Sequence, residues 1–231
     1  MTEKRDQPEL HQPADASGAE AFLDEAYALS GDDSMQSFYQ RWASRYDQQM
    51  IDGLGYESPQ RLVDLFHAHC PAPGPVDVLD IGCGTGLLGQ CLQDSLSSRD
   101  TDSLSIDGVD RSQAMLQQAS LIGCYRQLLT ADLMHGLPLA DATYDAVLSC
   151  GTFTHGHVDA TPVPDLVRVL RPGGLLLITV HEHLWEAAGF EAALALQTTE
   201  AQLKELSRER HAFFSDGPRE GWFCCYRRSR Y

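Results

Sequence analysis

The segment Val78-Leu79-Asp80-Ile81-Gly82-Cys83-Gly84-Thr85-Gly86 constrains this chain more than any other. An apolar run of strand character opens into a G-x-G-x-G loop and then into a helical pattern. Glycine at alternate positions lets the backbone turn tightly and lets a ligand approach without meeting a Cβ. The helix that starts there offers free N–H groups and the positive end of its dipole, which suit a carboxylate or a phosphate. Position 87, where a dinucleotide fingerprint carries a third Gly or Ala, is Leu87.

Downstream the pattern alternates. Apolar runs at 76–81, 104–109, 127–130, 144–150 and 175–180 read as strands. Helices are predicted over 86–96, after the cap Ser112 with Ala114, Met115, Leu116 and Ala119, and around 165–170. Arg171-Pro172-Gly173-Gly174 reads as a turn. A long helical stretch is expected over 185–207, then two strands at 211–214 and 222–227 around Asp216-Gly217-Pro218. This alternation predicts an α/β fold, doubly wound, with a mostly parallel sheet and a late antiparallel hairpin.

Upstream, residues 1–17 are polar, carry Pro8 and Pro13, and read as a disordered tail. Residues 18–75 read as an N-terminal helical cap, one structural unit with the domain at 76–231. Its first helix carries Phe22, Ala26 and Leu29 and stops at Gly31. Ser34 caps a second, with Phe38, Tyr39, Trp42 and Tyr46 at helical spacing. Ser58 and Pro59 read as the N-cap and first-turn residue of a third, with Leu62, Leu65 and Phe66 inward, and Pro71-Ala72-Pro73-Gly74-Pro75 closes it.

Charge narrows the partners. Seventeen basic side chains stand against thirty-three acidic ones, a formal net charge of -16. Such a surface repels phosphate backbones, so no nucleic-acid partner is expected. The only basic cluster, Arg227, Arg228 and Arg230, reads as a solvated tail. No window approaches about 18 consecutive apolar residues, so no membrane span is expected, and residues 1–20 lack the apolar core of a secretory signal. The seven cysteines are scattered and form no C-x-x-C pair, as suits reduced thiols in a cytoplasmic protein. Cys224-Cys225 reads as a pair packed on alternate faces of the last strand, with a redox or metal feature as the other reading.

Further residues nominate a site. Asp110 ends the second strand in Gly108-Val109-Asp110, followed by Arg111, where a carboxylate accepts hydrogen bonds from a ribose diol. Otherwise it is a turn residue. Met115 suits an adenine face, and Asp132 in Ala131-Asp132-Leu133 suits an adenine amino group. Cys150, ending the fourth strand, touches a ligand or packs as a small apolar residue. His155 and His157 follow the fourth strand, and His181 and His183 follow the fifth, at the sheet edge where open α/β folds bind ligands. His155 or His181 is a candidate general base or acceptor-binding group. Solvated loop histidines are the alternative, and a four-nitrogen metal site is a remote one; no metal is assigned.

The segments VLDIGCGTG (78–86), GVDRSQAML (108–116), ADLMHGLPLADATYDAVLSCGTF (131–153) and RVLRPGGLLLITV (168–180) resemble successive motifs of class I S-adenosylmethionine-dependent methyltransferases. The resemblance implies a seven-stranded Rossmann-like sheet with a reversed final strand. It also implies S-adenosylmethionine as cofactor and S-adenosylhomocysteine as product. The methionine part would sit at Asp80 and Gly82, Cys83, Gly84 and Gly86, the ribose at Asp110, and the adenine near Met115, Asp132 and Leu133. The segment SFYQRWASRYDQQMIDGLGYESPQRL (37–62) is similar to the Williams–Beuren-region methyltransferase-like proteins and related small-molecule methyltransferases. That likeness implies Tyr39, Trp42 and Tyr46 as lid residues over the cofactor, where an ordinary aromatic core stripe is the alternative. A small-molecule methyl acceptor is therefore expected. A protein methyltransferase with a basic partner and a catalytically silent cofactor-binding subunit stand beside it, with a nicotinamide oxidoreductase disfavoured by Leu87. Accepting atom and oligomeric state are open at this point.

Overall fold

Runs of residues buried on both sides build the sheet. In β1 (Val76–Ile81) the last four residues are all buried, including Asp80, as in a central parallel strand covered on two faces. The computed structural model describes residues 47–70, 75–96, 104–154, 158–215 and 219–230. The tail at 1–17, the first two helices of the cap and residues 71–74 lie outside the described residues.

Seven strands follow the order β3-β2-β1-β4-β5-β7-β6. They are β1, β2 (Leu104–Asp110), β3 (Tyr125–Thr130), β4 (Tyr144–Phe153), β5 (Leu170–His181), β6 (Leu203–Ala212) and β7 (Glu220–Arg228). The first five pair in parallel, and β7 runs antiparallel to both β5 and β6. Helices α1 (Ser58–His69) and α2 (Leu87–Ser95) cover one face through Leu62, Phe66, Leu88 and Leu92. Helices α4 (Val163–Val169), α5 (Glu182–Ala187) and α6 (Phe190–Thr199) cover the other through Leu166, Trp185, Phe190 and Leu194. Helix α3 (Gln113–Ile122) packs beside β2 and β3. Cys224 faces one core and Cys225 the other, as strand alternation requires. All seven cysteines are free. Among the described residues no helix is long and apolar enough to cross a membrane.

Four local expectations need correction. Ser58 does not cap α1: it lies inside the first turn and its hydroxyl donates to the Phe213 carbonyl at 3.1 Å. The helical stretch expected over 185–207 breaks at Gly189 (φ +78°) and ends at Thr199, after which β6 begins at Leu203 rather than near 211. Its run LKELSRER is rich in helix formers, but pairing with β7 overrides that preference. Its exposed charges also guard a sheet edge against further pairing. Arg171 to Gly174 form a bulge within β5, where the register jumps from Tyr144↔Leu170 to Ala146↔Leu175. Two of the three terminal arginines are not part of a solvated tail, while Arg230 is exposed. Arg227 donates to the carbonyls of Gly173 and His69, and Arg228 to those of Arg168 and Leu170.

A polar knot ties the parallel strands together. Asp107, 2% exposed, accepts from Arg126 at 2.7 and 2.9 Å, from Gln127 at 2.8 Å and from the Tyr144 hydroxyl at 2.9 Å. Burial pushes its carboxyl up, but Arg126, Gln127 and Tyr144 together outweigh burial and hold it below its ordinary value. A lowered carboxyl stabilises the fold above its ordinary range, and that share is lost as pH falls through the lowered value. Asp107→Ala leaves the buried Tyr144 hydroxyl without its acceptor. We expect urea unfolding at neutral pH to show a loss of about 2–3 kcal/mol. The difference from wild type should shrink on acidification.

Candidate functional site

The chain leaves β1 toward β2 and β3 on one side and returns to β4 on the other, so crossovers diverge between β1 and β4. A crevice opens at the carboxyl ends of strands at such a point. Here it is a cleft with about 1110 Å³ of empty space, its open mouth counted. Its walls come from the segments that follow β1, β2, β3 and β4.

The loop after β1 carries glycines at φ +65° (Gly82), +55° (Gly84) and +100° (Gly86). At Gly82 the reason is close approach: a Cβ would stand 2.1 Å from Thr152 Oγ1. Gly84 is different. A Cβ there would meet nothing nearer than the Gly82 carbonyl oxygen at 4.0 Å, so this stretch of bare backbone faces open space. The Gly84 N–H donates to Asp110 Oδ2 at 2.9 Å, and the Ser112 N–H to Asp110 Oδ1 at 2.7 Å. Asp110 thus joins the glycine loop to the start of α3, where Ser112 accepts from the Met115 N–H at 3.4 Å. Burial raises the Asp110 carboxyl, against the amides of Ser112 and Gly84 and the charge of Arg111.

Asp80 lies beneath the loop, 1% exposed, and its Oδ2 accepts from the Tyr125 hydroxyl at 2.8 Å. Burial pushes its carboxyl up to about 7; Tyr125 opposes this and Asp110 adds to it. Asp132 caps the 3₁₀ turn Leu133–His135, accepting from the Met134 N–H at 2.9 Å, with His135 Nδ1 at 3.1 Å from its other oxygen. Burial pushes that carboxyl up, but Met134, His135 and Arg111 bring it below its ordinary value.

The opposite wall is made by a break in β4. Its pairing with β5 shifts between Ser149 and Phe153, and Gly151 takes φ +77° with its N–H on Thr179 Oγ1 at 3.0 Å. The break turns Cys150, Gly151, Thr152 and Thr154 into the cleft, where Tyr56 and Pro59 join them in its lining. Tyr56 is held by a bridge to Phe214, and its hydroxyl lies 3.5 Å from Cys150 Sγ. Burial pushes the Cys150 thiol up to about 12, so it is neutral.

Asp80, Gly82, Cys83, Gly84, Asp110, Arg111, Met115, Asp132, Leu133 and Cys150 all line this cleft. Gly86 stands behind it as the residue before α2, packed near Tyr125 and Ala119. His181 is not on the cleft. It is 5% exposed, caps α5 by accepting from the His183 N–H at 3.3 Å, and lies edge-on to Phe213 at 5.8 Å. Its strand end pairs with Gly221 of β7, away from the crossover point, which is why strand order alone misplaces it. Tyr39, Trp42, Tyr46, His155 and His157 lie outside the described residues. Among the described residues no group of three or more His, Cys, Asp or Glu is arranged to hold a metal ion. Sequence reasoning missed Tyr56, Pro59, Thr85, Thr152 and Thr154 as wall residues. Thr152 and Thr154 had a signal, since they lie at a strand's carboxyl end; Tyr56 had none, because a bridge to a distant segment brings it here.

Residues 78–174 match the family model for a methyltransferase domain. Methyltransferase-like protein 27 of Homo sapiens is 35% identical over 170 residues, covering 73% of this chain and 65% of that protein. The chain belongs to the class I S-adenosylmethionine-dependent methyltransferases. Within that superfamily, a malonyl-[acyl-carrier protein] O-methyltransferase of Pseudescherichia vulneris is 31% identical over 116 residues, 50% of this chain and 43% of the enzyme. The chain thus spans less than two thirds of the length of these curated relatives. A TehB-like S-adenosylmethionine-dependent methyltransferase from Corynebacterium glutamicum superposes with a TM-score of 0.61 at 17% identity, over 84% of this chain and 99% of that one. At that identity the likeness is one of fold.

Proposed function

We propose that this chain transfers a methyl group from S-adenosylmethionine to a small-molecule acceptor in the cytoplasm, releasing S-adenosylhomocysteine. The observation that carries the reading is the bare backbone of Gly84 facing the cleft, with the Asp110 carboxylate 2.9 Å from its amide. The charge inventory supports it. Three carboxyls, Asp80, Asp110 and Asp132, and one guanidinium, Arg111, line the cleft. That balance attracts a cationic ligand such as a sulfonium amino acid and repels a dinucleotide pyrophosphate.

In this reading Asp80 and the loop at 82–86 receive the methionine part, Asp110 the ribose, and Met115 and Leu133 the adenine, with Asp132 at its amino group. Tyr39, Trp42 and Tyr46 serve as the lid. When bound, the cofactor supplies an activated methyl group on its sulfonium. The chain's task is to orient the acceptor in line and to exclude water. The wall formed by Tyr56, Pro59, Cys150, Gly151, Thr152 and Thr154 bears hydroxyls and a neutral thiol and no charged side chain, which favours an uncharged small acceptor. His155 follows Thr154 directly and is assigned as the base where the acceptor must lose a proton.

Calorimetric titration is expected to show binding of S-adenosylmethionine and S-adenosylhomocysteine and none of NAD. S-adenosylhomocysteine should then form with members of a neutral metabolite panel, and His155→Ala should slow that step without weakening cofactor binding. Preferential NAD binding would remove the reading. Methylation of basic proteins with no turnover of metabolites would transfer it to a protein acceptor, and wild-type rates in the variant would remove His155.

A further inference from the structure

Three glycines from separate elements leave room for one aromatic ring. A Cβ on Gly86 would stand 3.2 Å from Tyr125 Cε2, one on Gly89 in α2 2.4 Å from the Tyr125 hydroxyl, and one on Gly108 in β2 3.0 Å from Cε1. Tyr125, the first residue of β3, fills this slot behind the glycine loop. Its hydroxyl reaches Asp80 Oδ2 at 2.8 Å, and Asp80 lines the cleft while remaining 1% exposed. Any side chain at 86, 89 or 108 would crowd the ring, so all three positions favour this one contact.

We propose that Tyr125 is a positioning residue: through its hydrogen bond it keeps the Asp80 carboxyl ionised, so that one proton on Asp80 switches the cleft's hold on a cationic ligand. The ligand part of this inference rests on the reading of the cleft as an S-adenosylmethionine site; the Tyr125–Asp80 coupling itself does not.

The groups that face Asp80 are a second buried carboxyl, three thiols and the Tyr125 phenol. The charge of Asp110, from β2, pushes the Asp80 carboxyl further up, while burial raises Asp110 itself. The thiols around it are neutral. Burial drives Cys83 in the loop far up, Cys124 before β3 up to about 11, and Cys150 in β4 up to about 12. Burial and the Asp80 charge likewise hold the Tyr125 phenol well above its ordinary value, so it remains a donor. With burial placing the Asp80 carboxyl near 7, the ionised form gains and the neutral form fades as pH rises through that value. A ligand ammonium or sulfonium favours the ionised form, so affinity should climb with pH through about 7 and level off above it.

Tyr125→Phe keeps the ring in its slot and removes only the hydroxyl. Affinity for S-adenosylhomocysteine, measured by calorimetry from about pH 5.5 to 8, should then follow a curve displaced upward by about one pH unit. At pH 7 that displacement reads as binding weaker by about 5-fold, fading at higher pH. Asp80→Asn should flatten the profile. Titration of the Asp80 carboxyl by carbon NMR in the unliganded protein should show the same upward displacement in Tyr125→Phe. A purely structural role for Tyr125 would lower affinity equally at every pH. Superimposed profiles for wild type and Tyr125→Phe, or a wild-type profile with no step, would overturn the proposal. If the ligand fails to bind at any pH, the cofactor reading and the ligand switch both fall. The carboxyl titration then decides the Tyr125–Asp80 coupling alone.

Discussion

Asp110→Ala is expected to weaken binding of S-adenosylhomocysteine by about 10- to 150-fold while the sheet stays folded. The range corresponds to about 1.5–3 kcal/mol, the loss for hydrogen bonds to a charged group. Two effects add. The variant removes the acceptor proposed for the ribose hydroxyls, and it frees the amides of Gly84 and Ser112, which Asp110 holds at 2.9 and 2.7 Å. The second effect loosens the loop that must stay open to the ligand. Asp110→Asn separates the two, since an amide oxygen still accepts one hydrogen bond but lacks the charge. Calorimetry should therefore rank wild type above Asp110→Asn and Asp110→Asn above Asp110→Ala. A loss smaller than about 3-fold in the alanine variant would contradict the role given to this carboxylate.

Gly82→Val should be more damaging to the fold. Even the Cβ alone overlaps Thr152, with Oγ1 at 2.1 Å, Cγ2 at 2.7 Å and Cβ at 2.9 Å. Thr152 cannot simply rotate away, because its hydroxyl donates to the Ile81 carbonyl at 3.0 Å and all three of its side-chain atoms are too close. A β-branched residue at φ +65° adds backbone strain. Overpacking and strain together set the expected loss at about 3–5 kcal/mol in urea unfolding, with cofactor binding abolished. Gly84→Ala is the useful contrast. Its Cβ enters open space, so stability should change by only about 1 kcal/mol from strain, while the ligand meets a methyl group where it needs bare backbone. Equal effects of the two substitutions on stability would undo this distinction.

The glycine-loop wall of the cleft was legible because its pattern is local in sequence. A strand, three alternating glycines and a carboxylate at the next strand's end define Gly82 to Gly86 and Asp110 without tertiary knowledge. Parallel strands buried on both faces announce themselves as continuous apolar runs, and β1 and β2 fall where that pattern puts them. What escaped was nonlocal. Tyr56 reaches the cleft through a bridge to Phe214, and Tyr125 reaches Asp80 only because Gly89 and Gly108 stand aside. His181 was misjudged for the same reason: the sequence places it after a strand, but β7 pairing and Phe213 decide what surrounds it. β6 was hidden by composition, since Lys204, Glu205 and Arg208 suit a helix until a partner strand is present.

The measurement that bears most directly on the account is a crystal structure of the protein with S-adenosylhomocysteine. Both ribose hydroxyls are expected within hydrogen-bonding distance of the Asp110 carboxylate, with the amino-acid part lying along Gly82 to Gly84. A ligand bound elsewhere on the molecule, or a ribose turned away from Asp110, would contradict it.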